Sequence, residues 1–303
     1  MTLACLNSGC TTVNRLAVNK VADALASGGS TFGAEDDPEL VKAAVPFSLK
    51  LMESLLAQSP NHRGLLLATA SGFTQYGFAF VQQEADELEQ KDFAAAQAMR
   101  GRARRLYLRA RDYGLRGLEA SHQGFTGQLR ADPVHAARQA LRSDVPLLYW
   151  TAASWAAAIS LAKDEPDLIA DLPLVEALVD RALELNEAFD SGAIHGFLIT
   201  YEMARQTGAG DPAARARRHF ERLVEITGGR QAAPFVSLAE SVALPRQDRK
   251  EFVALLNRAL EVKADAQPEW RLANLIMQRR ARWLLNRVDE LILETEKPQS
   301  EKP

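Results

Sequence analysis

The pentapeptide RALEL at Arg181–Leu185 returns as RLVEI at Arg222–Ile226 and as RALEV at Arg258–Val262, with starts 41 and 36 residues apart. Looser forms occur earlier, ESLLA at Glu53–Ala57 and LRGLE at Leu115–Glu119. Each closes a stretch whose apolar residues recur at helical spacing. A two-helix unit returning every roughly 34 to 45 residues marks a tetratricopeptide-like or related α-solenoid, because one hairpin buries its apolar face only against its neighbours. The expected fold is therefore all-α, built of tetratricopeptide-like helical-hairpin repeats wound into a superhelix within a single domain. An irregular helical bundle is the plainer alternative.

Outward from these pentads, the chain reads as helix after helix. Asp36-Asp37-Pro38-Glu39 sets acidic capping residues before a proline in the first turn, and the helix that follows runs to Gln58. Further helices are expected near 62–90, 91–121, 132–142, 144–163, 172–187, 190–206, 211–227, 232–243, 248–263 and 268–294. The breaks between them are short and rich in turn residues, as at Ser121–Gly127, Asp132-Pro133, Glu165-Pro166, Gly208–Pro212, Gly228-Gly229, Pro245 and Gln267-Pro268. Short links between amphipathic helices imply antiparallel pairs. No stretch reads as a strand.

With 303 residues, of which 47% are apolar, the chain supplies a sizeable core. A net charge of -3 gives no general attraction to nucleic acid or to an anionic membrane. Both cysteines, Cys5 and Cys10, fall in the first ten residues, so the remaining sequence holds neither a disulfide framework nor a thiolate metal site. Around Cys10 the sequence ACLNSGCTTV has the small residues that precede a lipoprotein cysteine, yet no basic segment and only a trace of an apolar run. The residues alone leave two readings open, a chance N-terminus or a shortened lipoprotein signal. The four segments read as 1–10, the remnant of that signal ending at Cys10; 11–33, a helix over Val13–Ala26 with the glycine-rich stretch Ser27–Gly33; 34–296, the helical domain; and 297–303, a disordered tail.

Two segments carry no charge, Gly64–Gln83 over twenty residues and Val145–Ala162 over eighteen. Both are long enough to span a bilayer. Their serine, threonine and glutamine content makes insertion weak, and burial among other helices is the better reading. The functional alternative is that one side of each borders an apolar groove or channel, with Phe73, Tyr76, Phe80, Tyr149, Trp150 and Trp155 as ligand candidates.

Between them, Arg100–Arg116 carries seven arginines and one acid. At helical spacing Arg102, Arg105, Arg109 and Arg116 form one row, and Arg100, Arg104 and Arg111 another. The acidic residues Glu84–Asp92 just before them invite salt bridges. A site for an anion or a protein partner is the alternative, with Arg102, Arg105 and Arg109 as its candidates, since guanidinium suits planar, bidentate recognition. Nucleic acid is not expected.

Chemistry is otherwise sparse. His62, His122, His135, His195 and His219 show no metal-binding spacing, and no phosphate loop or nucleophile elbow occurs. His195 and Glu202 lie two turns apart on one expected helix and read as structural. No catalytic residue, metal or cofactor is expected.

Several stretches carry a family resemblance: LYWTAASW at Leu148–Trp155, ALVDRALEL at Ala177–Leu185, SGAIHGFL at Ser191–Leu198, Leu65–Val81 with its YGFAF, and PFVSLAESV at Pro234–Val242. Together, from about Cys10 to Glu261, the sequence resembles the T-component family of TRAP transporters. That resemblance implies a tetratricopeptide-like periplasmic lipoprotein, an accessory subunit and not an enzyme, working beside an extracytoplasmic solute-binding protein and a membrane permease. It implies homo-oligomers, a trimer first among them, and an apolar channel through which an organic acid or a greasier ligand passes. It places the lipid anchor on Cys10, where the following Thr11 leaves the inner leaflet of the outer membrane open as the destination. The family carries a full signal before this cysteine, so the expectation is a misplaced start or a trimmed chain. A general periplasmic repeat scaffold for envelope assembly is the competing function.

Overall fold

The computed structural model describes residues 32–205 and 207–293; Cys10, the helix expected over Val13–Ala26, most of the glycine-rich stretch and the tail from 297 lie outside them. Among the described residues every regular element is helical. The described residues group into two compact units that part after Phe189, where the sequence reading treats 34–296 as one body.

Unit one opens with α1 (Pro38–Gln58), capped by Asp37, whose carboxylate accepts from the backbone N–H of Glu39 and Leu40. The helix expected over 62–90 is interrupted. It comprises α2 (Arg63–Gly77), a π-helical turn at Phe78–Gln82, and α3 (Gln83–Leu88). Then comes α4 (Phe93–Ser121), capped by Asp92 and carrying the arginines. The expected turn at Ser121–Gly127 shrinks, because the fully buried Phe125 and Leu129 draw the chain into a further helix, α5 (Phe125–Ala131). Asp132 ends α5 and caps α6 (Pro133–Arg138), which is shorter than the helix expected to 142. The second uncharged segment forms α7 (Val145–Ser160), followed after a single helical turn at Pro166–Ile169 by α8 (Leu172–Leu185).

Helix α4 is the spine of this unit, packed against α2 and α7. The contact with α7 is close because Gly114 presents no side chain: a Cβ there would lie 2.1 Å from the Thr151 hydroxyl. Leu147 similarly fills the space above Gly117. The two uncharged helices are buried along most of their length, which explains their lack of a polar face. Their hydroxyls are satisfied locally, Thr69 donating to the Leu65 carbonyl at 2.6 Å, Thr74 to Ala70 at 2.7 Å and Thr151 to Leu147 at 2.6 Å.

Unit two starts on three successive left-handed residues, Asp190, Ser191 and Gly192, with φ of 45°, 55° and 86°. The first two are strained for side-chain-bearing residues, while Gly192 also leaves room for Leu223. The helix expected from 190 therefore begins only at α9 (Ala193–Tyr201). It is followed by α10 (Pro212–Thr227), α11 (Ala233–Leu238) continuing through a π-helical turn at Ala239–Ala243, α12 (Arg249–Glu261) and α13 (Arg271–Leu285). Phe235, Val236, Phe252, Leu256 and Leu284 anchor the core.

The three repeated pentads close α8, α10 and α12 with a common logic. In each the second residue, Ala182, Leu223 or Ala259, is buried and the fourth, a glutamate, is exposed. The leading arginine pairs with that glutamate in all three, at 3.1 Å in Arg181–Glu184, 2.7 Å in Arg222–Glu225 and 2.9 Å in Arg258–Glu261. The looser LRGLE departs from this, since its Glu119 instead accepts from the backbone of Gly124 and Thr126 and fixes the turn into α5.

Candidate functional site

The arginine row Arg102, Arg105, Arg109 and Arg116 lies exposed along one face of α4. Beneath it are rings from α2 and α4. The guanidinium carbon of Arg102 is 5.9 Å from the centre of the Tyr76 ring, that of Arg109 5.3 Å from Phe73, and that of Arg116 5.3 Å from Tyr113. The Phe73 and Tyr113 rings stack 6.2 Å apart and nearly parallel, and Tyr76 leans on Phe80. Two sets of residues that are separate in the sequence thus become one ladder, with the buried rings of Phe73 and Tyr76 and the half-buried ring of Tyr113 below and guanidinium groups above.

Glu53 of α1 ties the ladder down. It accepts from the Tyr113 hydroxyl at 2.9 Å and lies 3.4 Å from Arg109 Nε. Burial first, and the Glu53 hydrogen bond second, push the Tyr113 hydroxyl up to about 12, so it stays a donor. Arg116 donates to the Pro60 carbonyl at 2.9 Å. Arg105 makes no ion pair among the described residues. Together with Leu108, Arg109, Asp112, Tyr113 and Arg116 it borders an open groove of about 400 Å³. Arg105, Arg109 and Arg116 present guanidinium donors to it, with the Asp112 carboxylate among them.

The other arginine row behaves differently. Arg100 bonds Asp86 at 2.9 Å and Glu89 at 2.8 Å, Arg104 pairs with Glu165, and Arg111 pairs with Asp112. Only the Arg100 pairs are those that the acidic run Glu84–Asp92 invites; Arg104 and Arg111 find their acids elsewhere.

The remaining aromatic candidates lie away from the ladder. Tyr149 meets Trp150 edge-on at 4.9 Å and Phe189 at 5.6 Å. Trp155 is 1% exposed, with Arg111 and Arg130 against its ring at 5.1 and 6.0 Å. Its indole N–H has no hydrogen-bond partner among the described residues.

Unit two holds a second polar cluster. His195 Nδ1 lies 2.9 Å from the Nδ1 of His219, whose Nε2 is 4.0 Å from Glu202. One ring must donate and the other accept, so at least one of the pair is neutral. Burial, reinforced by His195, lowers His219 to about 4. Burial raises the Glu202 carboxyl, but Arg215 and Arg205 outweigh it and hold the group below its ordinary range. Arg215 also donates to the carbonyls of Gly208, Ala209 and Gly210, so the cluster pins the loop before α10. The separation of 24 positions between the two histidines gives no local spacing to read. Glu53 and Tyr113 escape notice in the sequence for the same reason, as their link crosses 60 positions.

The fold and this face define a class: an all-helical protein with a row of exposed arginines along one helix. A family model described as the TRAP transporter T-component matches residues 34–292. The chain is also similar to an uncharacterized protein of Treponema pallidum (strain Nichols), 31% identical over 267 residues that cover 87% of this chain and 83% of that protein. The chain belongs to the TRAP transporter T-component family. The match extends past Glu261 through α13, beyond the stretches that carry the sequence resemblance. Among the described residues, no helix is long and apolar enough to cross a membrane.

Proposed function

We propose that the chain is a non-catalytic accessory subunit that docks the extracytoplasmic solute-binding protein of its TRAP system and handles that protein's apolar or organic-acid ligand. In this reading the helices are tetratricopeptide-like hairpins serving as a scaffold. Cys10 carries a lipid that holds the chain in the periplasm at the inner leaflet of the outer membrane, and the working form is a homo-oligomer, a trimer first. The observation that supports docking is the ladder of exposed arginines held on the rings of Tyr76, Phe73 and Tyr113. Binding interfaces favour arginine and tyrosine held in place before the partner arrives, since less freedom is lost on association. Ligand handling rests on the buried aromatic residues Phe73, Tyr76, Phe80, Tyr149 and Trp155 and on Trp150 beside them.

Isothermal titration of the purified chain with the solute-binding protein of the same system tests docking. Saturable binding is expected; no heat and no co-elution at the highest attainable concentrations contradicts it.

A further inference from the structure

Arg102, Arg105, Arg109 and Arg116 place four guanidinium groups along one line of α4. At ~1.5 Å rise per residue the line runs ~21 Å, with gaps of ~4.5, ~6 and ~10.5 Å. Three of the four have the guanidinium carbon over a ring, at 5.9, 5.3 and 5.3 Å, which limits their freedom before any partner arrives. The fourth, Arg105, stands between them without an ion pair among the described residues. Their counterparts on the other row of α4 are occupied by Asp86, Glu89, Glu165 and Asp112.

We infer that this line is a docking strip for a protein surface bearing a matching row of carboxylates. This rests on the docking function proposed above and adds the chemistry of the partner's face. Two observations favour carboxylates on a protein over a phosphate-rich bilayer. First, α4 contains no lysine, the usual cation for diffuse attraction to lipid headgroups, and fixed guanidinium forks suit bidentate pairing with individual carboxylates. Second, the strip is not uniformly positive: Glu53 pairs with Arg109, and Asp112, between Arg109 and Arg116, pairs with Arg111. The positive charge is therefore carried by separate guanidinium groups and not by a continuous field, which a partner's carboxylates meet in register.

The test uses the full chain, the solute-binding protein of its system, and vesicles of phosphatidylglycerol with phosphatidylcholine. Arg105→Glu alone, at an exposed and unpaired position, is expected to weaken protein binding about 10-fold, and Arg102→Glu with Arg105→Glu about 100-fold. Arg105→Lys should recover part of the loss, and raising salt should weaken the wild type by about 10-fold over a decade of ionic strength. Arg258→Glu on unit two should bind as the wild type does. If the wild type binds the solute-binding protein and both reversal variants bind equally well, the strip is not the interface and this inference fails while the docking reading stands. If the wild type does not bind that protein, the docking reading fails and takes this inference with it. Vesicle binding that is lost in the reversal variants, with protein binding untouched, overturns the inference in favour of a membrane surface.

Discussion

His219 faces His195 across 2.9 Å in a buried setting, and burial lowers it to about 4. In the unfolded chain the same ring titrates near about 6.5, so between those values the unfolded state takes a proton that the folded state refuses. The stabilisation is complete above the upper value and is lost as pH falls through the window, by about 3 kcal/mol at most. His219→Asn should lower stability near neutrality and flatten its decline in that window, as read from urea unfolding at a series of pH values; an unchanged slope would remove His219 from the acid response. A steric contrast is available on α4. Gly114→Ala sets a Cβ against the Thr151 hydroxyl and should cost about 1 to 3 kcal/mol. Gly101→Ala meets only the flexible end of Arg105 at 3.6 Å and should be neutral or stabilising by up to about 1 kcal/mol. Equal unfolding midpoints for the two variants would mean that the α4–α7 contact is looser than described. The histidine pairing is not legible in the sequence, where the two rings share no motif, while Gly114 reads there as a small residue that lets a neighbouring helix approach.

At the scale of the element, much more was written in the chain. Asp37, Asp92, Asp211 and Asp248 each accept from backbone N–H groups at the start of a helix, as their positions before helical runs suggest. The Arg–Glu pentads share their burial pattern because the same spacing faces the same kind of neighbour. The sequence is blind to the π turn at Phe78–Gln82, since YGFAFVQQ keeps a helical period while tertiary packing inserts the extra residue. Tyr107 marks the spot: its fully buried ring sits against Gly77 and its hydroxyl donates to Gln82 at 2.7 Å. Tyr107→Phe leaves that acceptor unserved, so a loss of about 1 kcal/mol is expected. Hydrogen exchange should quicken at Phe78–Gln82 beyond the global effect; uniform acceleration would show that the turn does not depend on this bond. Helix α5 was hidden because Gly124 and Gly127 read as a turn, whereas the buried Phe125 and Leu129 decide the outcome.

For the whole molecule, residue patterns and resemblance carried the all-helical class and the T-component family. The grouping of the described residues into two units is not legible, because the break after Phe189 is a matter of backbone angles and not of a linker composition. The candidate face was half visible. The arginine row follows from helical geometry, but its seating on Phe73 and Tyr76 depends on how α2 packs on α4, which no local pattern encodes.

Docking through that face is the central claim, and arginine-selective labelling with phenylglyoxal tests it most directly. In the complex with the solute-binding protein, mass spectrometry should find Arg102, Arg105 and Arg109 protected, while Arg246 and Arg258, similarly open to solvent on unit two, react as in the free chain. If the α4 arginines stay fully reactive in a saturated complex, the account is contradicted.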